Sequence, residues 1–332
     1  MRPITLVTGG TGFLGAHVVR RLVERGERVR VLARGGVPEL AELGVELVQG
    51  DVVRDLDGGT PLARAIEGCA QGYHLAGFVS RNPDDGQRMM RVHVDGTRRV
   101  REAASKAGVQ RVVLASTSGT IAVSREPEPI LDESAPYPTE LVSNWPYYLS
   151  KIYQEKLALD LAATLALELV VVNPSLLLGP GDARDSSTGD VKKFLRKEIP
   201  VVPPGGMNFV DVRDAADATV AAMERGRPSQ RYLLGGPNWT LKEFFGRLER
   251  ISKVRGPRLR LPKLLQTRAA SFLEHAYRAF DKTPPVDKMT VEMSHVFWYC
   301  DSAKAQRELG FAPRDPGETL DDTVRDLRAR MI

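Results

Sequence analysis

Ile4-Thr5-Leu6-Val7-Thr8-Gly9-Gly10-Thr11-Gly12-Phe13-Leu14-Gly15, running on into Ala16-His17-Val18-Val19-Arg20-Arg21-Leu22-Val23, reads as a strand, a glycine turn and a helix. Gly9 allows the tight turn, Gly12 lets the backbone approach a pyrophosphate, and Gly15 allows close packing of strand on helix. The first free N–H groups of the helix face the phosphates, where the helix dipole favours negative charge. A glycine pattern alone fits an empty turn equally well; the strand before it and the helix after it select a bound dinucleotide. The glycines are spaced three apart, G-x-x-G-x-x-G, and not as G-x-G-x-x-G.

Beyond the turn, apolar strand-like runs alternate with amphipathic helical runs. Strands are expected at Ile4–Val7, Val29–Ala33, Val45–Gln49, Gln71–Leu75, Val112–Ala115 and Leu169–Val172. Such βα alternation predicts an α/β fold of Rossmann type, a doubly wound parallel sheet with ligands at the carboxyl ends of its strands. After Pro174 the pattern gives way to a long loop around one short helix, Val191–Lys197. Alternation resumes with a strand at Asn208–Val212, a helix at Ala215–Met223 and a strand at Gln230–Leu234. A second excursion opens at Arg255-Gly256-Pro257-Arg258 and holds an amphipathic helix from about Lys263 to Phe280. The expected organisation is a dinucleotide-binding domain over 1–178 that returns at about 208–235, with 179–207 and 236–332 forming mainly a small C-terminal substrate-binding lobe.

The chain has 332 residues, 42% hydrophobic and 27% charged, an ordinary composition for a folded protein with a large core. No apolar run approaches the roughly 20 residues that span a bilayer, and the first strand begins too near Met1 to leave room for a signal peptide. With only Cys69 and Cys300, a disulfide framework is not expected and a reducing cytoplasm is the default. The five histidines lack metal-ligand spacing, so no metal is expected. Net charge is +5, and the cluster Arg98, Arg99, Arg101, Lys106 and Arg111 is interrupted by Glu102 without interleaved aromatics. That pattern fits a solvated helix face and not nucleic-acid binding.

A second signal is Asn144-Trp145-Pro146-Tyr147-Tyr148-Leu149-Ser150-Lys151. Tyr147 and Lys151 are four apart at the start of a helical stretch and share one face. A phenol is a poor acid at neutral pH, and a nearby ammonium would stabilise its phenolate. Taken alone, such a pair is more often an incidental one on a surface helix; its place after five βα units that begin with the glycine turn reverses that reading. At the end of the fifth strand, Ala115-Ser116-Thr117-Ser118-Gly119 sets three hydroxyls at the cofactor crevice, any of which could meet a substrate oxygen.

Along nearly its whole length the chain resembles the extended short-chain dehydrogenase/reductase superfamily. Thr8–Gly15 resembles that family's cofactor motif. The resemblance assigns cofactor contacts to Thr8, Gly9, Gly12, Phe13, Leu14 and Gly15. In Gly50-Asp51-Val52 it implies adenine contacts from Asp51 and Val52, and in His74-Leu75-Ala76-Gly77 it places Leu75, Ala76 and Gly77 beside the adenine ribose. Val92-His93-Val94-Asp95-Gly96-Thr97 is similar to an N-V-x-G-T motif, with His93 where asparagine is usual. By the family's register Thr117 takes the Ser/Thr role in a catalytic triad with Tyr147 and Lys151, the last two also touching cofactor. Pro174 and Ser175, in the segment Asn173-Pro174-Ser175, would lie along the nicotinamide, and Ala115 and Ser116 would also touch cofactor. Val170–Gly181 and Asn208–Asp214 look closest to dihydroflavonol-reductase-like and hopanoid-associated epimerase-like members.

The second strand ends Val31-Leu32-Ala33-Arg34, with Ala33 where an acidic residue would hold the 2′-hydroxyl of NAD. A guanidinium at Arg34 suits a 2′-phosphate, so NADP(H) is expected over NAD(H). The leading expectation is reversible reduction of a ketone or aldehyde of a fairly apolar small molecule, with Tyr147 protonating the oxygen, Thr117 polarising it and Lys151 holding the nicotinamide ribose. An NAD-dependent nucleotide-sugar epimerase or dehydratase is the alternative, and a non-catalytic cofactor sensor a lesser one. Peripheral membrane attachment through the helix 263–280 is a competing reading of that helix as a substrate cap. Tyr153, Leu157, Leu161 and Leu165 suggest a homodimer face.

Overall fold

The computed structural model describes residues 3–35, 40, 42–53, 61–259 and 288–331. The helix expected over 263–280 lies outside the described residues. The strands are β1 (Ile4–Thr8), β2 (Arg28–Ala33), β3 (Glu46–Gln49), β4 (Cys69–His74), β5 (Arg111–Ala115), β6 (Glu168–Pro174), β7 (Leu176–Leu178), β8 (Gly206–Asp211), β9 (Gln230–Leu234) and β10 (Asn238–Thr240). The α-helices are α1 (Phe13–Glu24), α2 (Pro61–Ile66), α3 (Gly86–Met90), α4 (Gly96–Lys106), α5 (Pro146–Thr164), α6 (Gly189–Leu195), α7 (Val212–Arg225), α8 (Leu241–Ser252), α9 (Lys288–Met293), α10 (Ala303–Leu309) and α11 (Pro316–Met331).

Seven strands form one parallel sheet in the order β3-β2-β1-β4-β5-β6-β9. The side-chain period of two sends neighbours to opposite faces. Val7, Val31 and Val113 join one apolar cluster with Val18, Val19 and Leu22 of α1 and Ala215 and Ala216 of α7. Leu6, Leu32 and Val112 join another with Val100 and Ala104 of α4. Each fully buried Val or Leu here contributes about 1.5–3 kcal/mol. Burial on both faces explains why the strands read as near-continuous apolar runs.

Chain order reverses between β1 and β4, and ligands in such sheets sit outside the carboxyl ends of the strands at this point. A second sheet, β10-β8-β7, stands beside the first. Only Ser175 separates β6 from β7, so one extended segment serves both sheets. Phe194, Phe209, Phe244, Phe245 and Leu248 pack with Leu320, Val324 and Leu327 of α11 around the small sheet. Helix α8 starts from a capping box, in which Thr240 and Glu243 bond each other's backbone N–H groups.

Candidate active site

Because the strands are parallel, Thr8, Leu75–Gly77, Ala115–Thr117 and Pro174–Ser175 all emerge at one edge of the sheet. The turn after β1 is tightly built. Gly9 has φ of +75°, and a Cβ there would lie 2.5 Å from the Ala76 nitrogen. A Cβ on Gly15 would lie 2.1 Å from the Gly9 carbonyl oxygen. At Gly12, the N-cap of α1, a Cβ would meet only that oxygen, at 3.2 Å, so the outer side of this residue is open among the described residues. Thr8 and Leu14 are buried, and Phe13 packs edge-on against His17. His17 in turn meets the Pro180 carbonyl at 3.0 Å, joining α1 to the loop after β7.

Arg34 is exposed just beyond β2, and its carbonyl accepts a 3.5 Å bond from Gln49 Nε2. Asp51 uses Oδ1 to accept from the Val53 N–H at 2.9 Å, which fixes the turn after β3. Val52 is buried against Gly96, the first residue of α4.

Helix α5 begins with Pro146 at its first position, which costs it nothing where an N–H would be unsatisfied anyway. Tyr147 and Lys151 then follow one turn apart. Lys151 Nζ is buried and donates to the Ala115 carbonyl at 2.9 Å and to Gln154 Oε1 at 2.8 Å. Burial lowers its pKa to about 8, against the opposing pull of Glu155. Tyr147 differs from expectation: burial, with a smaller contribution from Tyr148, raises its pKa above the ordinary phenol value. The lysine ammonium is directed at Ala115 and Gln154, so the phenol stays protonated at neutral pH. Thr117 Oγ1 accepts a long 3.4 Å bond from the Gly119 N–H, which leaves its hydroxyl hydrogen to donate.

His93, standing where asparagine is usual in related motifs, ties this site together. Its Nε2 accepts from the Phe78 N–H at 3.0 Å, so the proton sits on Nδ1, which donates to Ser150 Oγ at 2.8 Å. Ser150 donates to the Tyr147 carbonyl at 2.8 Å. Burial holds the His93 pKa well below 6.5 and keeps the ring neutral.

Glu155, fully buried, accepts from Thr120 Oγ1 (3.0 Å), Asn173 Nδ2 (2.9 Å) and the Tyr137 hydroxyl (3.2 Å), and pairs with Arg231 at 3.4 Å. The carboxylate therefore fixes the Asn173 amide. Asn173 Oδ1, Ser116 Oγ and Ser175 Oγ are buried without a hydrogen-bond partner among the described residues. Leaving such atoms unpaired costs about 1–3 kcal/mol each, and all three lie at the carboxyl ends of β5 and β6. Together with the open Gly12 and the buried lysine, they fit a nicotinamide dinucleotide laid across the strand ends.

An aromatic wall stands beside Tyr147. Its ring is edge-on to Tyr148 at 5.1 Å, Tyr148 lies against Trp298 at 4.7 Å, and Trp145 completes the group. Tyr148 fills the space that a side chain at Gly119 would need. Met289 and Met293 of α9 join the same cluster. Arg81, beyond β4, makes a bidentate pair with Asp190 of α6 at 3.0 and 2.7 Å. Among the described residues no group of three or more His, Cys, Asp or Glu side chains could hold a metal ion, and no helix is long and apolar enough to cross a membrane.

Sequence reasoning did not single out Gln154, Ser150, Tyr148, Trp298 or Arg81. One usable signal was the spacing of Lys151, Gln154 and Glu155, which at i, i+3 and i+4 share one face of α5, since polar residues on a buried helix face need partners.

A family model described as the NAD dependent epimerase/dehydratase family matches residues 5–235. A Synechocystis sp. protein that carries the provisional name dihydroflavonol 4-reductase is 34% identical over 325 residues, covering 96% of this chain and 92% of its own. Sterol demethylase protein B of Methylococcus capsulatus is 33% identical over 339 residues, covering 98% of each. The crystal structure of gox2253 matches with a TM-score of 0.84 at 32% identity, covering 99% of both chains.

Proposed function

The chain belongs to the NAD-dependent epimerase/dehydratase family, and on that premise we propose that it reduces a ketone or aldehyde on a fairly apolar small molecule with NADPH. At the coarser level it is an NAD(P)-dependent oxidoreductase of the extended short-chain dehydrogenase/reductase type. The observation that carries the finer reading is the aromatic cluster that starts at the Tyr147 ring and runs through Tyr148 to Trp298, with buried Trp145 behind it. Aromatic faces suit a flat apolar substrate; a sugar diphosphate would call for cationic groups. The reductase name of the Synechocystis relative points the same way.

When bound, the nicotinamide supplies the hydride to the carbonyl carbon. The chain's own residues handle the oxygen. Thr117 donates its free hydroxyl hydrogen to the substrate oxygen and positions it. Tyr147, held protonated by burial, delivers the proton that turns the developing alkoxide into an alcohol. A protonated phenol is the state that reduction needs, whereas oxidation would need the phenolate. Lys151 spends two N–H bonds on Ala115 and Gln154 and keeps its third for a ribose hydroxyl. Thr8 and Gly9–Gly15 would hold the pyrophosphate and Arg34 a 2′-phosphate.

NADPH oxidation followed with a panel of aryl ketones and aldehydes tests this reading. Tyr147→Phe is expected to lose about 10²–10⁴-fold in kcat with an unchanged melting temperature. A Tyr147→Phe protein with wild-type turnover overturns the triad. NAD that stays bound through purification favours the epimerase alternative instead.

A further inference from the structure

A buried line of polar side chains runs from the glycine turn to the active-site lysine. Lys151 Nζ donates to Gln154 Oε1 at 2.8 Å, so the amide must present its Nε2 to Thr97 Oγ1, also at 2.8 Å. Thr97 Oγ1 lies 2.9 Å from His74 Nε2, and His74 Nδ1 lies 2.7 Å from Thr8 Oγ1. Thr8, His74, Thr97 and Gln154 are each at most 1% exposed. Burial, reinforced by the charges of Lys151 and Arg101, holds the His74 pKa down to about 3. The neutral ring therefore accepts at Nε2 from the Thr97 hydroxyl and donates at Nδ1 to Thr8. Each donor in the line then points away from Lys151.

We propose that Gln154, locked by Thr97 and His74, is a positioning residue that holds the Lys151 ammonium charged and aimed toward the cofactor crevice. This rests on the reductase reading only for the use made of Lys151; the device itself is a property of the folded chain. The groups with charge that bear on the ammonium are few. Glu155 is on the same helix and favours the charged form. His74 of β4 and His93, which precedes α4, are neutral, and the Arg101 guanidinium of α4 acts on His74. The Ala115 carbonyl and Gln154 Oε1 are the acceptors that replace its water. Without Gln154 Oε1, a buried ammonium keeps one carbonyl and loses half of that replacement. With Thr97 mute, the amide loses the acceptor that anchors its Nε2 and is free to swing its oxygen off the lysine.

The test needs no turnover. Protein carrying [ε-13C]lysine is titrated without cofactor, the Lys151 resonance being assigned with Lys151→Arg. Gln154→Leu is expected to lower the Lys151 midpoint by about one pH unit and Gln154→Glu to raise it by at least as much, since a hydrogen-bonded or charged neighbour moves a buried pKa on that scale. Thr97→Val should shift it in the same direction as Gln154→Leu, and Thr97→Ser should restore it. Midpoints that stay put, or move the same way in Gln154→Leu and Gln154→Glu, overturn the proposal, because a purely structural residue gives no sign reversal. Melting temperatures of the variants show that each is folded. A failed NADPH assay would count against the proposed function and leave this result standing.

Discussion

Gly12→Ala and Gly15→Ala add the same methyl three residues apart and are expected to do opposite things. At Gly15 the new Cβ falls 2.1 Å from the Gly9 oxygen and 2.8 Å from its carbon. Relaxed contacts stand near 3.5–4.0 Å, so the overlap exceeds 1 Å, and both partners are backbone. The turn they belong to is closed by a 2.9 Å bond from the Gly12 N–H to the Gly9 carbonyl and cannot yield cheaply. The cost is at the upper end of overpacking, about 3 kcal/mol. At Gly12, φ of −86° suits alanine, and the only close atom is 3.2 Å away. A poorer N-cap and a stiffer unfolded chain offset each other to within about 1 kcal/mol. The methyl nevertheless stands on the open side, where a pyrophosphate would approach, and should weaken NADPH binding at least about tenfold, or 1.4 kcal/mol. Urea unfolding gives the stabilities, and quenching of tryptophan fluorescence by NADPH gives the affinities. Refutation is a Gly12→Ala protein that binds NADPH like the wild type, or one destabilised as much as Gly15→Ala.

Two further outcomes follow from the same geometry. Arg34→Ala is expected to weaken NADPH at least about tenfold while leaving NADH unchanged, since one charge-assisted pair is worth about 1.5–3 kcal/mol; equal losses for both cofactors, read by the same titration, would reject a role at the 2′-phosphate. Acid should unfold the chain early. His74 and His93 are held below the ordinary 6.5 by burial, so the unfolded state takes up their protons as pH falls through that value and the native state does not. Stability is then lost by about 1.4 kcal/mol per histidine per pH unit below 6.5, and His93→Asn should remove one histidine's share of that slope in urea midpoints taken from pH 7 to 5.

The main sheet was legible because its information is local. Near-continuous apolar runs such as Val112–Ala115 and the turn Thr8–Gly15 carry their structure within a few residues, and the strands fall within two residues of expectation. The small sheet was legible only at β8. Strands β7 and β10 have three residues each, too few for a period, and exist because β8 pairs with both. The site split the same way. Tyr147 and Lys151 were visible as an i,i+4 pair, but the partners of that lysine come from residues far apart in the chain: Ala115 on β5, and Thr97 and His74 behind Gln154. Tyr147 also shows how burial overrides pattern. Sequence proximity to an ammonium argued for an acidified phenol, and desolvation produces the reverse.

The pairing of β6 with β9 bears on how the chain is born. The edge that completes the seven-stranded sheet is Gln230–Leu234, and α7, which packs beside α1 on one face of the sheet, is made just before it. During synthesis at about 5–20 residues per second, β6 emerges seconds ahead of the strand that shields it. In that interval Val170 and Val172 have no neighbour on one side and the flank of α1 that meets α7 is bare. A nascent chain paused after residue 178 would therefore expose a naked strand edge to other nascent chains, and a chaperone that engages such edges has its window there.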